Sequence, residues 1–175
     1  MSGNNASSAD NQQERLETSS WIVGFVDGEG CFSASIFRNR TTSLGWQVFP
    51  EFVITQGESS ITALKKVRNY FQCGSVIVNK RYDNHTENLY RYCVRSVEEL
   101  DGTIIPFFKR HPLQTAKKED FAIFCDIVQK MKAKQHLSVD GMAEIAKQIE
   151  KMNRQKASNF LESLETIRQD SDSSE

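Results

Sequence analysis

Apolar residues in this chain follow two rhythms, and their order predicts its elements. Phe32, Ala34 and Ile36 recur at every second position, with Ser33, Ser35, Phe37 and Asn39 between them. Residues 31–40 therefore read as a strand with one apolar face. A polar turn region at 41–45 leads to a second strand over 46–55, where Pro50 predicts a local irregularity. After Ser59 the spacing becomes helical, through Ile61, Leu64, Val67 and Phe71, and Gly74 ends that helix. Alternation returns at 75–81 and, after the polar stretch 82–87, at 88–96, where Tyr90, Tyr92 and Val94 alternate with Arg91, Cys93 and Arg95. Helical spacing resumes at 97–105, 117–134 and 138–158, with a short further helix over 159–168. Ahead of all these lies an apolar helical run over 21–26, capped by Ser19 or Ser20 and ending near Gly28. The predicted order is αββαββα with extra C-terminal helices, an α+β fold built on an antiparallel sheet.

The ends of the chain differ from its middle. Residues 1–15 read as a disordered polar tail, 16–158 as a single domain, and 159–175 as an acidic tail that is partly helical. The chain has 175 residues with 38% hydrophobic content, enough for one core of ordinary domain size. No apolar run approaches the ~20 residues a membrane span needs, and residues 1–13 carry no secretory signal. Cys31, Cys73, Cys93 and Cys125 are widely spaced without a Cys-x-x-Cys pair, which argues against zinc and disulfide frameworks. Reduced thiols fit an intracellular protein, in cytoplasm or organelle alike. His85, His111 and His136 have no metal-ligand spacing.

Net charge is −1, but its distribution is uneven. Residues 21–160 hold 20 bases against 15 acids, a surplus of +5, while the two ends are acidic. A basic body suits a nucleic-acid binder; an ordinary domain with acidic tails would have the same totals.

The sharpest local signal is Trp21-Ile22-Val23-Gly24-Phe25-Val26-Asp27-Gly28-Glu29-Gly30. Gly24 and Gly28 lie four apart and share a helix face, which permits another backbone to approach closely. A calcium loop of the EF-hand kind would need further acids at alternate positions, and Cys31, Phe32 and Ser33 do not supply them. The segment resembles the signature of the LAGLIDADG homing endonucleases, and the resemblance covers residues 19–135. Gly24 to Gly30 fall on the pattern in order; Ile22 and Val23 match as apolar residues only.

The resemblance implies a site-specific DNA endonuclease. Two motif helices pack together, and the last acid of each, Glu29 here, binds a divalent metal. Magnesium is the implied cofactor, with manganese able to substitute and calcium as a non-catalytic stand-in. The Gly28 and Gly30 carbonyls could add ligands, while Asp27 is expected to serve the helix end instead. With one motif per chain, a C2 homodimer is implied, with Trp21, Gly24, Phe25 and Gly28 at the interface. Gln56 matches a polar position that organises metal-bound water, although a surface glutamine would read the same way. Lys117 matches a lysine that opens a helix near the scissile phosphate, with Lys118 as its competitor.

Recognition of double-stranded DNA is expected on the sheet face opposite the helices, carrying Ser33, Ser35, Phe37, Asn39, Gln47, Glu51, Ser75, Ile77, Asn79, Arg81, Arg91 and Arg95. Arg38, Arg40, Lys80 and Arg81 near the hairpin tips would reach phosphates. The rivals are an intron-encoded RNA maturase and a non-catalytic DNA-binding regulator on the same scaffold. Either would have little need for an acid at position 29.

Overall fold

The computed structural model describes residues 4–80, 87–152 and 159–164. Its elements are α1 (Asn4–Glu29), β1 (Gly30–Arg38), β2 (Trp46–Gly57), α2 (Ile61–Phe71), β3 (Ser75–Asn79), β4 (Leu89–Val94), α3 (Val97–Glu99), α4 (Ile105–Arg110), α5 (Lys117–Lys132) and α6 (Val139–Met152). The α+β class and the αββαββ order are those the hydrophobic pattern predicts.

The strands form one antiparallel sheet in the order β1-β2-β4-β3. Phe32, Ala34, Phe52, Ile54, Tyr92 and Val94 are buried on one face. Leu64, Val67 and Phe71 of α2, Phe107 and Phe108 of α4, and Phe124, Ile127 and Val128 of α5 close over that face. Phe32 stacks on Phe52 at 4.8 Å and meets Phe108 edge-on at 5.3 Å, so aromatic packing joins sheet to helices. Pro50 does not break β2. It pairs with Ala34 on the β1 side and lies past the last β4 partner, Phe52↔Val94, where a missing amide hydrogen leaves the ladder intact.

Three expectations need correction. Residues 4–15 continue helix α1 instead of forming a disordered tail. Between Gly3 and Gly24 there is no glycine or proline to break a helix, and Ala6, Ala9, Gln12, Gln13, Glu14 and Arg15 offset the weaker Asn and Ser of this stretch. The buried half of α1 provides the nucleus, from which the polar half extends. Ser19 is accordingly no cap: its hydroxyl donates back to the Arg15 carbonyl at 2.8 Å and shares a 2.7 Å hydrogen bond with Tyr70.

The helix expected over 97–105 runs on to Arg110, through a π turn at Leu100–Ile104. Pro106 follows one residue later, and its missing amide hydrogen removes the bond an α-helix would make to Gly102.

Finally, residues 159–164 are helical and Phe160 is buried, edge-on to Trp46 at 5.4 Å. The core therefore reaches past the boundary expected at 158. The stretches 153–158 and 165–175, and with them parts of the predicted last helices, lie outside the described residues.

Candidate active site and nucleic-acid interface

Helix α1 passes into β1 without a linker: Glu29 is the last helical residue and Gly30 the first of the strand. The turn is tight enough that a Cβ at Gly30 would lie 2.6 Å from the Val26 side chain and 2.9 Å from its carbonyl. Only glycine fits there, and its backbone sets the direction in which Glu29 leaves the helix. Glu29 is exposed, and among the described residues nothing pairs with its carboxylate.

Asp27 behaves differently. One oxygen accepts from the Gln114 amide at 2.8 Å; the other accepts from the Thr115 amide at 3.2 Å and hydroxyl at 2.7 Å. Partial burial pushes this carboxyl up, but those hydrogen bonds and the nearby Lys117 charge hold it below its ordinary 3.8. Lys117 opens α5 and turns back to donate to the Val26 carbonyl at 2.7 Å and the Asp27 carbonyl at 3.0 Å. It therefore caps the negative end of α1 with a cation. Lys118 is exposed and makes no such contact. Asp27 and Lys117 together pin the 112–117 loop to the helix that carries Glu29.

Asp27→Ala should cost about 1 kcal/mol at neutral pH, because a charged acceptor is lost at a partly exposed site. The folded-state value is depressed, so the stabilisation is present above the ordinary 3.8 and fades as pH falls through the lower folded value. Thermal melts of the two proteins should therefore converge at the acid end, and a constant offset down to the lowest pH would contradict this role.

The donor set limits what one chain can hold. Among the described residues no group of three or more His, Cys, Asp or Glu side chains could ligate a metal. What this end of α1 offers is one unpartnered carboxylate, Glu29, and the backbone of Gly28. That is too few for a closed protein cage, but it suits magnesium, which keeps several waters and takes one or two carboxylates.

Gln56 lies in β2 opposite Tyr90. It shares the strand parity of buried Phe52 and Ile54, whereas Thr55 beside it has the parity of Arg91 and Glu51. Alternation from Glu29 across the open sheet face runs through Cys31, Ser33, Ser35 and Phe37. Opposite them stand Val53, Glu51, Phe49 and Gln47. Thr55, Arg91, Cys93, Ser75, Ile77 and Asn79 continue this face over β4 and β3. Cys31, Phe49, Val53, Thr55 and Cys93 were missed in the sequence reading; strand register finds them once the pairing is known.

Most expected contact residues are accessible here: Ser35, Phe37, Arg38, Arg40, Ser75, Ile77, Asn79, Lys80 and Arg95 are exposed. Asn39 donates to Gln47 at 2.6 Å, locking two tip residues together. Arg38 lies over Trp46 at 4.7 Å. Arg81 falls outside the described residues. Glu51 departs from expectation: it is buried and paired with Arg91 and Arg95, so it is no free base contact.

On α1, Gly24 and Gly28 are exposed, and a Cβ at either would meet nothing within 4 Å. Trp21 stacks on Phe25 at 5.1 Å beside this stripe, with Lys66 over the indole at 4.6 Å.

The family model for LAGLIDADG endonucleases matches residues 22–128. A probable intron-encoded endonuclease 2 of Neurospora crassa is 31% identical over 148 residues, 85% of this chain and 32% of that protein. Homing endonuclease I-ApeII of Aeropyrum pernix is 33% identical over 108 residues, 62% of this chain and 60% of that protein. The chain spans only 32%, 25% and 24% of the lengths of three curated relatives that it matches. Among solved structures, homing endonuclease I-TnaI superposes with TM-score 0.73 at 38% identity, over 85% of this chain and 97% of that one. I-LtrWI bound to target DNA superposes with TM-score 0.73 at 32% identity, over 79% of this chain and 45% of that one. Motif helix, sheet topology and matched span agree, and the chain belongs to the LAGLIDADG endonuclease family.

Proposed function

We propose that this protein is a homodimeric, metal-dependent, site-specific endonuclease that cuts both strands of a long, roughly palindromic DNA site. The observation that carries the reading is Glu29: an exposed acid with no partner among the described residues, at the end of a helix whose glycine face is open. A neighbouring helix docked on Gly24 and Gly28 would bring a second Glu29 close to the first. The match to 97% of I-TnaI but only 45% of I-LtrWI supports the view that this chain is one unit of a two-unit enzyme. I-SmaMI has been solved on uncleaved DNA in the presence of calcium ions, and a divalent cation suits the donors here.

A magnesium ion bound there would neutralise phosphate charge and lower the pKa of its water. The chain's own residues set the stage for this. Glu29 would hold the cation from the helix end, while the Asp27 carboxylate is already engaged by Gln114 and Thr115. Lys117 adds a fixed positive charge near the place where a scissile phosphate would lie. The sheet face positions the duplex, its basic side chains meeting the phosphate backbone.

The test is incubation of the purified chain with magnesium and a randomised palindromic DNA library. Discrete double-strand cuts that vanish with a chelator are expected. Tight binding without cuts would point to a DNA-binding regulator, and neither binding nor cuts would favour an RNA-directed maturase.

A further inference from the structure

Glu51 is 8% exposed, although it stands on the open face of the sheet. Both of its oxygens are taken. Arg91 Nη2 donates to Oε2 at 2.8 Å, and Arg95 Nε donates to Oε1 at 2.8 Å. Arg95 Nη2 stands 2.7 Å from the same Oε1. Continuing the β2–β4 register past Phe52↔Val94 places Arg95 opposite Glu51, so the pairing is cross-strand. The Arg95 guanidinium also lies 5.2 Å from the Phe49 ring centroid. A buried carboxylate is tolerated only when fully paired, and this one is. The trio keeps a net charge of +1 at the surface.

A guanidinium presents five N–H donors in a rigid fork. Arg95 uses its Nε–Nη2 edge on Glu51, which leaves the Nη1 side without a partner among the described residues. Because two heads converge on one carboxylate, they lie side by side although Arg91 and Arg95 are four residues apart along the chain. A free arginine on a DNA-facing sheet would reach a phosphate as readily as a base. A clamped one has its head fixed, with little side-chain freedom left to lose on binding.

We propose that the Glu51-clamped pair Arg91 and Arg95 reads two neighbouring base pairs of each half-site through the major groove, with a guanine at each. The inference rests on the endonuclease reading and assigns part of its target. Guanine O6 and N7 form the paired acceptors that a guanidinium fork matches. Neighbouring base pairs are spaced by about 3.4 Å, compatible with two heads on one carboxylate. Glu51 is a positioning residue and touches no base. Since its oxygens are engaged, it does not accept from cytosine N4.

Selection of bound sequences from a randomised library, without magnesium, tests this for the full chain. The wild type should enrich guanine at two adjacent base pairs in each half-site. Arg95→Met and Arg91→Met should each erase the preference at one of them, with discrimination falling about tenfold or more. Glu51→Gln should blunt both preferences while non-specific affinity holds or rises, since a negative charge is removed. Should Glu51→Gln fail to fold, Arg95→Lys keeps the charge but loses the fork: affinity and salt dependence should persist while discrimination falls.

A uniform loss of affinity across all sequences in Arg95→Met and Arg91→Met, with the salt slope reduced by about 1, would make them phosphate contacts and overturn the assignment. A selected site without adjacent guanines would overturn it as well. Failure to bind any DNA would overturn the endonuclease reading itself, and is distinguishable from both.

Discussion

Glu29→Gln is expected to lower cleavage by about 10³-fold or more while DNA affinity stays within a factor of a few. A bound cation stabilises transition-state charge by several kcal/mol, and each 1.36 kcal/mol is tenfold in rate. Glutamine has nearly the same shape as glutamate but offers a hard cation a neutral oxygen in place of a charged one. The substitution removes no protein contact, because Glu29 pairs with nothing among the described residues. Stability should change by less than about 0.5 kcal/mol, as for an exposed surface residue. The variant thus separates chemistry from folding and from recognition. Glu29→Asp keeps the charge on a shorter stem and should retain part of the activity in magnesium. A chain that cuts DNA normally with glutamine at position 29 would remove Glu29 from the site. Cleavage lost together with melting temperature would point to a structural role instead.

The sheet and its core face were legible in the sequence because strand alternation is local. Phe32, Ala34, Tyr92 and Val94 were assigned inward from period alone and are buried. Glu29 was singled out by motif alone, and Gly30 explains why the helix that carries it ends there. The errors fall where a side chain's partner is distant or a propensity is weak. The partners of Asp27 lie 87 and 88 residues away, beyond any local pattern. Glu51 was placed among the contacts because it falls on the sheet face opposite the helices; its pairing with Arg91 and Arg95 spans 40 and 44 residues. Lys117 and Lys118 could not be separated by spacing, and only the return of the Lys117 ammonium to α1 distinguishes them. Residues 4–15 were read as a tail because their composition is polar, with many Asn and Ser; the absence of glycine and proline and continuity with a packed helix let the helix extend through them.

Gly24→Leu should leave the monomer folded and slightly more stable, yet abolish dimerisation and with it double-strand cleavage. The two effects have opposite signs, which makes the variant informative. In the single chain a Cβ at position 24 meets nothing within 4 Å, so leucine finds room. Replacing a mid-helix glycine with a good helix former should add about 0.5–1 kcal/mol. At a two-fold axis the same side chain appears twice, facing its own copy. Helices that approach closely through glycines would be forced apart by about the width of two leucine side chains. Two Glu29 carboxylates carried on those helices would separate with them, and a shared metal site would be lost. Sedimentation or light scattering should therefore report a monomer with a raised melting point and no cleavage. Binding to a single half-site should survive, because the sheet face lies on the other side of the turn at Gly30. If Gly24→Leu instead stays dimeric and active, the glycine face is not the interface, and the second acid must reach the site by another route.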